Sequence, residues 1–147
     1  MEELIATHTP LAIVLTNGNH TRAAVRFRDR FGMKVFAAAD ADGLDITPDA
    51  TFADGDVAPG GMRVVTLPGA GPGEIALIGN GIACVGDALI HLEPEGFRML
   101  PAKYCSDARM LAESLRKLLS CEFDVLTFAH GTPLVGQARR RLELLLA

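Results

Sequence analysis

The sequence predicts an α/β fold in which strands lie beneath helices, in one continuous domain over residues 1–147, and three observations carry that reading. The apolar run Leu11-Ala-Ile-Val-Leu15 ends in Thr-Asn-Gly and is followed by helical spacing and a second apolar run, Lys34-Val-Phe-Ala37. Three short β runs separated by glycine-rich turns occupy residues 62–85. The last third then returns to helical periodicity around one more apolar run. A strand-helix-strand order with a short crossover favours parallel neighbours.

Each element has a local cause. Leu11–Leu15 is continuously apolar, as in a strand covered on both faces. Asn19 or Thr21 can cap a helix running to about Phe31, with Ala23, Ala24, Phe27 and Phe31 on one side and Gly32 as its stop. Residues 40–61 are rich in Asp, Gly and Pro and read as loop, with a tight turn at Asp54-Gly-Asp56. Met62–Leu67, Glu74–Ile78 and Gly81–Val85 read as an antiparallel meander. From Ala108 to Leu119 the residues Met110, Leu111, Leu115, Leu118 and Leu119 share a helical face. Asp124–Ala129 is a buried strand, and Val135–Leu146 is a closing helix.

Composition excludes several classes of function. Apolar residues make up 49% and aromatics 5%, so the core is aliphatic. The net charge of −4 argues against nucleic acid and acidic membrane surfaces as partners, since both need a basic face. Arg139-Arg-Arg141 reads as a solvated helix face. Cys84, Cys105 and Cys121 form no C-x-x-C pair and fit free thiols in a reducing compartment. No basic N-terminal region with a long apolar stretch and no bilayer-length run is visible, which leads to the expectation of a soluble cytoplasmic protein.

Gly69-Ala-Gly-Pro-Gly73 precedes a strand instead of a helix and lacks a following lysine, so it reads as a turn and not a phosphate loop. Asp40, Asp42 and Asp45 lack the glycine and closing glutamate of a calcium loop. The histidines say more. His8 reads as solvated; His20 lies in the turn after the first strand, His91 follows Asp87 by four residues, and His130 ends a buried strand before Gly131-Thr-Pro133. Singly, each reads as a hydrogen-bonded residue. Together with Asp87, these strand ends converge on one edge of a layered sheet, where sites in α/β folds collect.

In order, Thr16-Asn-Gly-Asn-His-Thr-Arg22, Pro68-Gly-Ala-Gly-Pro-Gly73, Val85-Gly-Asp87 and Ala129-His-Gly131 resemble the metal-binding elements of the metallo-β-lactamase superfamily. The resemblance runs from Leu11 onward and lies in the turns and their order. It implies a layered α/β/β/α sandwich whose N-terminal β segment is missing or reduced, because only some ten residues precede Leu11. An uncovered edge of that kind would be closed by a homodimer. In the family's Thr-His-x-His-x-Asp-His signature the histidines fall here on Asn17, Asn19 and Arg22 and the aspartate on Thr21, with His20 at the variable position. Ala70 stands where the Pro-Gly-His turn has its histidine, while Asp87 and His130 match the bridging aspartate and last histidine.

Neutral amides are weak zinc ligands and alanine offers none, so a dinuclear site of the usual kind is not expected. The resemblance leaves Asp87, His130 and a shifted His20 as candidate ligands for a single zinc or other divalent metal. Arg22 offers another solution: its guanidinium could pair with Asp87 and replace the lost metal charge. Lys103 and Tyr104 are candidate ligand contacts. Two readings stay open. The main reading is a non-catalytic relative, without cofactor, whose cleft binds a small molecule or partner; the alternative is a single-metal hydrolase using Asp87 and His130 to activate water. A Rossmann-like binding module is disfavoured by the antiparallel meander.

Overall fold

The computed structural model describes residue 10 and residues 12–147, so His8 and the first residue of the expected opening strand fall outside it. Strand β1 (Ala12–Val14) leads through a loop to helix α1 (Ala24–Phe31), and the chain returns as β2 (Lys34–Ala38). β1 and β2 are parallel, as the short crossover predicts, and β3 (Ala50–Phe52) adds a third parallel strand beside β2. That strand lies inside the stretch read as loop. It is three residues long, and only Phe52 of it is buried, so neither periodicity nor an apolar run marks it.

The expected cap of α1 does not form. Thr21 Oγ1 instead bonds to Asp45 Oδ2 at 3.2 Å, and the helix begins at Ala24 without a side-chain cap. Its end is as expected: Gly32 adopts φ +66° and donates its N–H to the Arg28 carbonyl.

The second sheet contains β4 (Val57–Ala58), β5 (Met62–Thr66), β6 (Ile75–Gly79), β7 (Ile82–Val85), β10 (Val125–Thr127) and β11 (Leu134–Val135), in the order β11-β10-β7-β6-β5-β4. The β5-β6-β7 meander is antiparallel throughout, while β10 joins β7 in parallel. Between β7 and β10 come the hairpin β8 (Leu89–Leu92) and β9 (Gly96–Met99) and helix α2 (Ala108–Leu115). Asp107 caps α2 by accepting the N–H groups of Arg109 and Met110 at 2.9 and 3.0 Å. The helical face expected to run to Leu119 tightens into a 3-10 turn over Arg116–Ser120. Helix α3 (Ala138–Leu145) closes the order, and Val135, expected at its start, is paired in β11.

Three apolar clusters define the layers. Leu15, Ala24, Val35, Ala37 and Ile46 fill the space between α1 and the three-stranded sheet. Ala38, Phe52, Ala58, Val64 and Ile75 lie between the two sheets. The largest cluster, including Leu67, Leu111, Leu115, Leu118, Leu126 and Leu142, fixes α2 and α3 on the outer face of the six-stranded sheet. The result is an α/β/β/α sandwich with an aliphatic core. Among the described residues no helix is long and apolar enough to cross a membrane.

Candidate metal centre

The site forms where loops leave the C-terminal ends of β1, β7 and β10. In the parallel β7-β10 ladder Cys84 is opposite Thr127. Counting three residues onward from each gives Asp87 and His130, so the two side chains emerge from neighbouring strands at the same height. A hydrogen bond from the Ala129 N–H to the Gly86 carbonyl (3.1 Å) extends the pairing to the site's edge. The His91 N–H donates to the His130 carbonyl at 3.2 Å. His91 is a support and not a ligand: its Nδ1 lies 2.7 Å from the Thr132 carbonyl oxygen.

His20 comes from the other sheet. The loop after β1 is anchored to the six-stranded sheet where the Ile75 N–H meets the Thr16 carbonyl (2.9 Å) and the Gly18 N–H meets the Pro72 carbonyl (2.7 Å). This places His20 Nε2 3.4 Å from Asp87 Oδ2, while His130 Nε2 lies 3.4 Å from Asp87 Oδ1. One donor atom from each of the three residues lies within 4.8 Å of the others. The Asp87 side chain is 8% exposed and the two imidazoles 43% and 44%, so a buried carboxylate forms the floor and two rings form accessible walls.

These residues fit a divalent cation. Two donors bound tetrahedrally at about 2.0–2.1 Å lie about 3.3 Å apart, close to both His-Asp spacings. Asp87 Oδ1 is buried and, among the described residues, has no hydrogen-bond partner despite the nearby ring, a state that is costly for a carboxylate oxygen unless a cation or donor completes it.

The other sequence candidates divide. Asn19 lines the cleft beside the triad, but Asn17 is buried at 3% exposure and folds back so that its Oδ1 accepts the Asn19 N–H at 3.1 Å. Ala70 is buried in the core. Together with Arg22, these make four positions matching the family's histidine ligands that supply no imidazole. Arg22 does not pair with Asp87. Its backbone turns through φ +47°, its side chain is exposed, and it borders a groove of about 320 Å³ lined also by Asn17, His20 and Phe27. The expected Arg22–Asp87 pair does not form, because both oxygens of Asp87 face histidines instead.

A cleft of about 880 Å³ opens beside the triad, and Lys103 and Tyr104 line it together with Asn19 and His130. Lys103 Nζ lies 4.7 Å from the Tyr104 ring centroid, a cation-π spacing. Two residues escaped the sequence reading. Arg98 lines the same cleft from β9, and its buried Nε has no hydrogen-bond partner among the described residues; the hairpin that presents it leaves no strong periodic signal. Glu74 is 3% exposed behind Asp87, and its Oε1 accepts the Ala88 N–H at 3.0 Å. Burial, with the Asp87 charge adding to it, raises its carboxyl from 4.5 to about 7. An acidic residue heading an otherwise apolar run was the available signal.

No family model matches the chain, and no curated protein matches it. Solved structures do match. TTHA1623, solved in a di-iron-bound form, is 24% identical with a TM-score of 0.67, over 91% of this chain and 79% of that one. The archaeal metallo-β-lactamase superfamily protein ST1585 from Sulfolobus tokodaii is 16% identical with a TM-score of 0.74, over 97% and 70% of the two chains. A metallo-β-lactamase from Pontibacter korlensis is 18% identical with a TM-score of 0.73, over 99% and 75%. The chain has the metallo-β-lactamase fold.

Proposed function

We propose that this metallo-β-lactamase fold holds one divalent metal ion on His20, Asp87 and His130 and acts as a metal-dependent hydrolase on a small molecule bearing an anionic group. The observation that carries the reading is the buried, unpartnered Oδ1 of Asp87, flanked by two imidazoles at donor spacing. Asn17, Asn19 and Ala70 supply no imidazole for a second ion, which favours one ion over two. A neighbour of the same fold, solved in a di-iron-bound form, supports metal binding by this chain.

A divalent ion held there supplies Lewis acidity and makes water a usable nucleophile near neutral pH. Asp87 contributes the negative charge that retains the cation, and its burial keeps that charge from being screened. His20 and His130 leave the side facing the cleft open. Arg98 and Lys103 place positive charge along the same wall, suited to a carboxylate or phosphate on the ligand. Tyr104 offers a ring face and a hydroxyl for orientation.

The test is a metal analysis of protein purified without chelators, followed by zinc, iron(II) and manganese(II) titration and a panel of esters, thioesters and phosphodiesters. One tightly held equivalent with metal-dependent turnover is the expected outcome. Failure of all three metals to bind overturns the reading. Binding of metal without turnover on any substrate favours the non-catalytic ligand-binding cleft instead, which the loss of the remaining ligand positions supports.

A further inference from the structure

The two halves of the triad are held by different means. Asp87 and His130 are fixed by one β ladder, whereas His20 belongs to a loop that leaves the opposite sheet. Something must set the distance between these loops, and Glu74 stands between them. Its Oε1 accepts the Ala88 N–H at 3.0 Å, immediately after Asp87. The Asp87 N–H and the Asn17 amide lower the pKa of this carboxyl against its burial, while its Oε2 has no hydrogen-bond partner among the described residues. A Cβ at Gly86 would lie 2.8 Å from Glu74 Oε1, 2.9 Å from Thr16 Oγ1 and 3.0 Å from Asn17 Nδ2, so Glu74 and the Thr16–Asn17 loop both close tightly on the Gly86 turn. The next residue, Ile75, donates its N–H to Thr16, tying the same strand end to the His20 loop.

We infer that Glu74 is a positioning residue, a strut whose Oε1 locks the Gly86–Ala88 turn against the Thr16–His20 loop and so holds His20 at ligating distance from Asp87. This rests on the metal-site reading above. What matters is the acceptor oxygen, so glutamine can replace glutamate and an apolar side chain cannot. Outer partners that orient ligands commonly change metal affinity by about 10–100-fold, and that is the effect expected here.

The test compares wild type, Glu74→Gln, Glu74→Ala and the near-isosteric Glu74→Met, all as the full chain. Cobalt(II) affinity and its d-d spectrum are read first. The Gln variant is expected within about threefold of wild type, and the Ala and Met variants to lose about 10–100-fold with an altered spectrum. In metal-free protein the Ala88 amide should exchange slowly in wild type and Gln but quickly in Ala and Met, and the His20 imidazole ¹⁵N shifts should move more than those of His130. Unchanged cobalt binding and unchanged Ala88 protection in the Ala or Met variant overturns the inference. So does a Gln variant as impaired as Ala, or a Gln variant that folds while neither Ala nor Met does, which would make Glu74 a residue of the fold alone. Should wild type bind no cobalt, the metal reading falls. Ala88 exchange and the His20 shifts then decide the strut by themselves, retained differences supporting it and their absence overturning it.

Discussion

Asp87 and His130 stand level with one another because each lies three residues beyond a paired position, Cys84 and Thr127, on parallel neighbouring strands. Substitution at either should therefore remove a ligand without disturbing the ladder beneath it. Asp87→Asn and His130→Ala are expected to weaken metal affinity by at least about 100-fold, the upper end of what even supporting residues contribute, while far-ultraviolet circular dichroism stays as in wild type. Arg22→Ala serves as the contrast. Its guanidinium makes no ion pair with Asp87, whose two oxygens face His20 and His130, so metal affinity should change by less than about threefold.

Gly131 has φ +102°, and a Cβ there would collide with the His91 carbonyl, at the point where His91 and Gly131 form a parallel bridge. Gly131→Ala combines backbone strain with overpacking against a main-chain atom that cannot rotate away. The expected loss is about 2–4 kcal/mol of stability, measured by urea unfolding, with His130 displaced as a consequence.

The buried carboxyl of Glu74 links stability to pH. Its folded value is raised from 4.5 to about 7, so between those values the folded state holds a proton that the unfolded chain has released. Its contribution is present in full below about pH 4.5 and is lost as the pH rises through about 7. In metal-free protein Glu74→Gln should flatten this dependence. It should be more stable than wild type above pH 7 by on the order of 3 kcal/mol, and nearly equal to it near pH 4. Equal pH slopes for the two proteins would contradict the assignment.

Lys103 lines the cleft but lies outside the triad. Lys103→Met is expected to leave metal affinity unchanged and to raise KM for an anionic substrate several-fold, with a smaller effect on a neutral analogue. Isothermal titration with both ligands, or steady-state kinetics once a substrate is in hand, checks the difference. An equal effect on the two ligands would show that the lysine acts by packing and not by charge.

Much of the fold was legible because it rests on local rules. The apolar run after residue 11, the Gly32 stop and the β5-β6-β7 meander follow from periodicity and turn chemistry, and the structure keeps all three. The short strands β3 and β4 and the β8-β9 hairpin did not show, since two to four residues carry too little pattern. The spacing of Asp87 and His130 past apolar runs was readable, and so was the absence of imidazole at residues 17, 19 and 70.

What the chain alone determined is the order of its elements and which side chains could ligate, because backbone preference and donor chemistry belong to single residues and their neighbours. The pairing of Asp87 was decided only in three dimensions. Arg22 and His20 are two residues apart, and sequence allowed either to meet the carboxylate. The anchoring of Thr16 to Ile75, together with the positive φ of Arg22, brings the imidazole to Asp87 and leaves the guanidinium exposed and away from that carboxylate. Direction of approach is a property of packed loops, and no spacing rule contains it.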